Sequence, residues 1–361
     1  MIISQVPNYI KAVYISLLII IIVFVMVMAK NILVPLLLSA FIAMLMTRFC
    51  NRLEQYKIPR SLSAAVAVLL FLAVLAGVIY FVVTQIQIFM DDVEAHAEED
   101  LNRFAMRANR WVEDGIGFDM GMGYGFKIEN VLALIQSGRS NMSELLKVTL
   151  NTAGNILSLP VFIFFLLIYR DHFAQFILRV FARQKNKLLM EHITSIRKVV
   201  HNYLIGAGKV MLILGIVNSA VLLMLGIKHA IFFGMLAGLL NIIPYLGPLM
   251  GGILPFVYAL LTKDSLFYPI AVAVSFTLIQ FLEATFLTPR ITGSNVSLNA
   301  FMTFLGLLIG GAIWGIPGMI IIIPTIAILK KLFEMSPETE PYAYLFGEED
   351  HRWFRRKKNA N

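Results

Sequence analysis

The stretch Phe233–Pro255, FGMLAGLLNIIPYLGPLMGGILP, decides how the rest of the chain is read. It is apolar enough to lie in a bilayer, yet Asn241, Pro244, Gly247, Pro248, Gly251, Gly252 and Pro255 stand where an unbroken helix would run. Lipid satisfies no free N–H or C=O group, so irregular backbone at membrane depth is tolerated only inside protein or against a wet cavity. Two readings follow: a kinked structural helix, or one wall of a solute pathway.

Composition places this stretch in a membrane protein. Of 361 residues, 59% are hydrophobic and 14% charged, against about a quarter charged in soluble domains. Mean hydropathy is +0.79. The apolar runs are long and continuous rather than short and alternating, which predicts helices and not an outer-membrane barrel. The expected fold is all-α: a polytopic helical membrane protein with about eight membrane segments, two of them broken or re-entrant, plus a helical extracytoplasmic insertion. A single cysteine, Cys50, excludes an internal disulfide, and no Cys/His cluster offers a metal site, so no cofactor is expected. The net charge of +8 reads as basic cytoplasmic loops beside anionic lipid, not as nucleic-acid binding.

Working outward towards the amino terminus, a span at Val210–Leu225 precedes the opening stretch, with Lys228 and His229 read as solvated boundary residues. Arg170–Lys209 carries eight basic and two acidic residues and an apolar stripe (Leu188, Leu189, Ile193, Ile196, Val199, Val200, Leu204). It is expected to lie on the cytoplasmic membrane surface. Before it come spans at Leu150–Tyr169, Leu62–Phe89, Ile32–Met46, with Pro35 in the first turn, and Ala12–Met28, read as retained and not as a signal peptide. The basic loop Arg48–Arg60 places the amino terminus inside. Asp91–Lys147 holds eleven acidic and six basic residues. Its apolar positions Val93, Ala97, Leu101, Phe104, Ala108 and Trp111 predict an amphipathic helix continuing the third span outside the membrane. The linker Gly115–Phe126 has no phosphate-loop context and reads as a turn, followed by amphipathic helices at Ile128–Ile135 and from Asn141, with Glu144 in capping-box position.

Towards the carboxyl terminus, Ile231–Leu261 would make on the order of 45 Å of helix, too long for a roughly 30 Å hydrocarbon core. Ala300–Leu329, interrupted by Gly306, Gly310, Gly311, Gly315, Pro317, Gly318 and Pro324, is overlong in the same way, and the two overlong segments around the regular run Phe267–Leu287 suggest an inverted pair. Parity leaves crossing and re-entrant versions open, and both put the basic tail, with Arg355–Lys358, inside. The chain thus divides into membrane helices (Met1–Met90), the external insertion (Asp91–Val148), a membrane and a surface helix (Thr149–Lys209), a transport core (Val210–Leu332) and a cytoplasmic tail (Phe333–Asn361).

Glu283 is the one carboxylate inside the apolar part of a span. A charge there costs about 2.5–3.5 kcal/mol on insertion scales, so it faces a cavity, finds a partner or is protonated. As a functional group it would couple protons or cations, because desolvation disfavours its charged form. As a structural group it would pair with Arg290, two turns on, which has the alternative of snorkelling to the interface. Gln280 lies one turn before Glu283. Gly293–Asn299 offers caps for the next helix, Asn299 among them, or ligands for a solute. Pro244 frees the Leu240 carbonyl and Pro248 is suited to start a half-helix, so the first half would end in carbonyls able to hold a cation or hydroxyl. The second would begin with free N–H groups, and Asn241 and Tyr245 add neutral hydrogen bonds. Asn241, Pro244, Tyr245, Gly247, Pro248, Gln280, Glu283, Arg290 and Asn299 are therefore the candidate solute-binding residues.

The runs GMLAGLLNIIPYLGP, QFLEATFLTPRITGSNVSLN and GLLIGGAIWGIPGMIIIIP, in this order, resemble the autoinducer-2 exporter family of bacterial membrane proteins. The family pattern carries an Asn-x-Ile-Pro-Tyr-x-Gly-Pro element, a Gln-x-x-Glu…Pro-Arg element and a glycine-rich last span. The likeness is strong over His201–Leu332. This chain departs at Ala284, where Asn is usual, and at Asn299-Ala300, where a His-Pro pair is usual. The resemblance implies export of small signalling molecules, as in quorum sensing, or sodium- or potassium-proton antiport. It also implies a bacterial inner-membrane location and a homo-oligomer, a pentamer, with elevator-like movement. A non-transporting envelope scaffold is the reading from another class. An intramembrane enzyme has neither a paired carboxylate, nor a Ser-His or Ser-Lys arrangement, nor metal-ligand spacing behind it.

Overall fold

A computed structural model describes residues 7–116, 153–180, 186–292, 298–334 and 339–347. The glycine-rich linker beyond Ile116, the amphipathic helices expected near Ile128 and Asn141, most of Gly293–Asn299 and the basic tail lie outside them. Among the described residues every regular element is helical: α1 Asn8–Met28, α2 Lys30–Gln55, α3 Arg60–Ile116, α4 Ala153–Ile168, α5 Arg170–Val180, α6 Asn186–Met224, α7 Ala230–Leu240, α8 Leu246–Thr262, α9 Phe267–Leu282, α10 Thr288–Thr292, α11 Ala300–Trp314, α12 Ile316–Phe333 and α13 Glu340–Phe346. A π-helical turn, Glu283–Leu287, joins α9 to α10.

Five stretches, Lys30–Gln55, Arg60–His96, Lys198–Met224, Phe267–Ile291 and Ile316–Phe333, are long and apolar enough to cross a membrane. The pair Ser158–Ile168 and Arg170–Phe176, bent by 67°, makes a sixth. The chain is a helical polytopic membrane protein, as its hydropathy predicts. Two boundaries differ from the sequence reading. Pro35 lies inside α2 and not in its first turn. The surface stretch ending at Lys209 and the span beginning at Val210 are one helix, α6, of 39 residues, since neither Gly206 nor Gly208 removes a backbone donor as proline does. The third span and the charged stretch beyond it form one helix of 57 residues, about 85 Å long, as expected.

Contacts group the chain into two compact units. The first comprises Met1–Val68, Gly154–Leu204 and Ser294–Asn361. Here Phe41, Val200 and Ile321 form a buried core with Leu37, Leu38, Leu204 and Trp314 around it. The Trp314 indole N–H donates to the Met26 carbonyl at 2.9 Å, and the Ser39 hydroxyl donates to the Leu159 carbonyl at 3.1 Å. Arg170 pairs with Glu54 at 2.5 Å and Arg60 with Asp171 at 2.9 Å, tying α2, α3 and α5 together at the basic loop. The overlong segment Ala300–Leu329 folds back at Gly315 (φ 67°) as the hairpin α11–α12. A methyl group at Gly310 would sit 2.7 Å from the Gly318 carbonyl oxygen, so only paired glycines allow the two backbones so close.

The second unit comprises Leu69–Ala153 and Ile205–Gly293. Its core is Leu222, Ile227, Phe232, Phe233, Tyr258, Ala259 and Val272, with Ile86 and Phe89 of α3 packed on it. Phe89 stacks on Phe232 at 5.6 Å and meets Phe233 edge-on at 5.4 Å, geometries that favour aromatic pairs. Just past this cluster Asp92 accepts from Lys228, lies 2.9 Å from His229 Nε2 and accepts from the Tyr258 hydroxyl at 3.3 Å. The His229 side chain is 8% exposed, so it is a buried hydrogen-bond partner of Asp92 and not the solvated boundary residue its position beside Lys228 implies. Further along α3, Arg107 donates to the Leu261 carbonyl at 2.7 Å and so caps the end of α8.

Candidate solute cavity

The cavity is built in the second unit by close packing of small residues. In α7, Gly234 and Gly238 are four apart and share a face. A methyl at Gly234 would strike Ser219 of α6, and one at Gly238 would lie 2.6 Å from the Gly215 nitrogen. Gly215 and Ser219 have the same four-residue spacing, so the two helices meet small residue to small residue. The Ser219 hydroxyl donates to the Gly215 carbonyl at 2.7 Å. On α8, a methyl at Gly251 would come within 2.8 Å of Ala237, and Gly247 lies directly against the Leu240 carbonyl. As the contact moves back along α7 it moves forward along α8, so the opening stretch is a helical hairpin and not a kinked rod.

The turn between α7 and α8 ties up much of its own backbone. The Ala237, Leu239 and Leu240 carbonyls accept from Asn241, Ile242 and Ile243 at 3.2, 3.2 and 3.0 Å. The carbonyl ligands expected at the end of the first half-helix are thus taken up by the turn, and Leu240 O is bonded and not freed by Pro244. Gly247 N–H donates to Ile243 O and Leu246 N–H to Pro244 O, both at 2.8 Å, so the first two donors of α8 are also used. Pro248 is the third residue of α8, where its missing N–H costs nothing. Tyr245 has φ 65° and ψ −52°. With the Leu246-to-Pro244 bond this is a γ-turn of the rare, strained hand, and such outliers gather at functional sites.

Beside the turn, side chains add polar groups. A cavity of about 570 Å³ is lined by Asn218 of α6, Asn241 and Pro248 of the hairpin, and Thr277 and Gln280 of α9, among apolar neighbours. It is within the 300–1,000 Å³ typical of small-molecule sites. Of the sequence candidates, Asn241, Pro248 and Gln280 line it. Glu283 stands one hydrogen bond behind: its side chain is 8% exposed, Oε2 accepts from Gln280 Nε2 at 2.8 Å, and Oε1 accepts from the Thr288 hydroxyl. Pro244 and Gly247 shape the turn, and Tyr245 is 58% exposed outside the lining.

Arg290 does not pair with Glu283. It is exposed, with its guanidinium 5.9 Å from the Phe286 ring centroid. The cause is the π turn between them, whose closing bond runs from Thr288 N–H to Glu283 O. A turn closed five residues on takes more residues per revolution than an α-turn, so the two-turn register does not hold. The same turn brings Thr288 onto Glu283. Asn299 caps α11, its Oδ1 accepting from Phe301 N–H at 2.9 Å, which is the capping role. Asn218 is missed by a reading of the sequence that looks for charge at depth, because it is neutral. Its signal was an amide in the middle of the apolar run Val210–Leu225, where polar groups are costly.

Membrane-long helices, a broken hairpin packed through glycines, and a largely apolar cavity carrying a few amide and hydroxyl groups beside a buried carboxylate fit a membrane transporter. The chain belongs to the AI-2E family transporter group, whose model matches residues 14–338. It is 23% identical over 327 residues to AI-2 transport protein TqsA of Escherichia coli K12, covering 89% of this chain and 90% of that one. A candidate transport protein of Bacillus subtilis 168, YrrI, is 24% identical over 314 residues, covering 84% and 86%. Another of Mycobacterium tuberculosis, MT0215, is 26% identical over 326 residues, covering 86% and 85%.

Proposed function

We propose that this protein is a secondary transporter that exports a small polar organic solute of the autoinducer-2 type, binding it at the α6–α9 cavity. The carrying observation is the link from that cavity to Glu283. As a carboxylate, Glu283 accepts from both Gln280 Nε2 and Thr288 Oγ1. Once protonated it must donate through one oxygen, so one of the two partners has to turn its own donor away. If Gln280 turns, it presents Nε2 instead of Oε1 to the cavity, and proton binding alters what the cavity holds. Proton-coupled alternating access needs such a link between two ligands.

The name of the Escherichia coli relative, an AI-2 transport protein, supports the solute class, and the family resemblance supports a homopentamer and elevator-like movement. The basic segments support a cytoplasmic-membrane location with both termini inside. The test is counterflow of labelled solute in proteoliposomes with a pH dye inside. Solute exchange is expected for the wild type. In Glu283→Gln, exchange persists while accumulation driven by a pH gradient disappears. Intact protein that moves no member of a broad polar-metabolite panel would sink the reading. Glu283 also favours a second reading, monovalent cation–proton antiport, which predicts salt-induced pH changes without organic solute, lost in Glu283→Gln.

A further inference from the structure

A second opening in the same unit, of about 430 Å³, runs between α3, α6 and α7. Each helix gives it one face at three-and-four spacing, as Val74, Gly77, Val78 and Phe81 do on α3. None of the lining side chains carries a nitrogen or an oxygen. Two glycines keep the groove open: a methyl at Gly77 or at Gly208 would meet nothing within 4 Å. Val74, Val78 and Leu212 of its lining are exposed, so the groove continues the surface that two spans present to lipid. On α3 it lies near the middle of the apolar run Leu62–Phe89, and apolar space at that depth holds hydrocarbon and not water.

The rim of the groove carries one charge. Lys209 is the last charged residue before the apolar run Val210–Leu225, and it stands one turn before Leu212 on the same face of α6. It is exposed and makes no ion pair among the described residues. A lysine at the edge of a span extends its ammonium towards the headgroups.

We propose that this groove is a binding site for a phospholipid of net negative charge: one acyl chain lies in the groove and the phosphate meets the Lys209 ammonium. A helix from a second copy fits less well. Helices associate in lipid through close backbone contact or interhelical hydrogen bonds, and here the glycines stand on two different helices with no polar side chain between them. An acyl chain follows the groove and supplies the contacts that an empty space forfeits. The site bears on the solute cavity because the same two helices wall both: α6 turns Leu212 to the groove and Leu214 to the cavity, and α7 turns Leu236 and Ala237 in the same way. A chain in the groove braces that wall.

The test reconstitutes the full chain in phosphatidylcholine vesicles with a trace of phosphatidylglycerol or phosphatidylcholine bearing a photoreactive diazirine in the acyl chain, and maps labelled peptides by mass spectrometry. α1, whose side chains from Val13 to Phe24 are exposed, reports ordinary lipid contact. The α3 and α6 groove peptides should take more label than α1. There the phosphatidylglycerol probe should exceed the phosphatidylcholine probe about fivefold, the gain from one lysine beside a charged headgroup. Gly77→Leu and Gly208→Leu fill the groove from two walls, and each should bring groove labelling down to the α1 level. Lys209→Gln should abolish the headgroup preference and leave the chain in place. Wild-type groove labelling no higher than that of α1 overturns the inference without any variant. So does labelling that folded Gly77→Leu and Gly208→Leu leave unchanged, or a headgroup preference that survives Lys209→Gln. An unlabelled groove whose Gly77→Cys, on a Cys50→Ser background, forms a disulfide between copies would put a second copy there instead.

Discussion

At Gly247 there is no space for a methyl group, because the Leu240 carbonyl of the facing half-helix fills it. Gly247→Ala must push the hairpin apart, at about 1–3 kcal/mol or more. A fall in Tm and loss of solute exchange are expected in fluorescence-detected size exclusion and in proteoliposomes. Gly77→Ala and Gly208→Ala are the controls. A methyl at either meets nothing within 4 Å, so each should leave Tm unchanged or raise it through up to about 1 kcal/mol of helix propensity. Equal losses at all three positions would contradict the packing account. At this scale the sequence was partly readable. Glu283 stood out because charge is rare at depth, and Gln280 because it is one turn away. Asn218 did not, since a neutral amide carries no such flag, and the false Arg290 partner arose because no residue type announces a π turn.

Between elements, the joint of α3 with the α6–α7 turn and α8 rests on Asp92. Its partners differ in exposure: the Lys228 side chain is 60% exposed, that of His229 8%. Exposed pairs contribute at most about 1 kcal/mol, whereas stranding buried polar groups costs about 1–3 kcal/mol. Lys228→Ala should therefore be nearly silent in thermal melts, and Asp92→Asn clearly destabilising. Similar melts for the two would show that the buried side of the joint is idle. The joint was hidden in the sequence because its four residues come from three separate regions. Helix periodicity fixed where α3 continues, since it is local. The overlong runs pointed to broken segments for the same reason: length and glycine content are local. Whether they cross or fold back depends on which glycines face which, and that needed the pairs Gly247 with Leu240 and Gly310 with Gly318.

For the whole molecule, charge bias sets the topology we propose: the α2–α3 loop inside and the polar half of α3 outside. On a Cys50→Ser background, a membrane-impermeant maleimide should label Glu99→Cys in intact cells, and Tyr56→Cys only after permeabilisation. Both native side chains are exposed, so failure to label reports sidedness and not burial, and the reverse pattern would invert the topology. Light scattering of the detergent-purified protein should give five chains of 40.5 kDa each. α3 runs unbroken from Arg60 to Ile116 and is bonded at two rungs within the unit that holds the cavity, Asp92 to the α6–α7 turn and Arg107 to the last turn of α8. For the experimenter that makes it a handle: a fluorophore or a tether fixed at Glu99 is attached to the hairpin's own frame, so movement around the cavity becomes observable from a dye in water, with no label inside the bilayer.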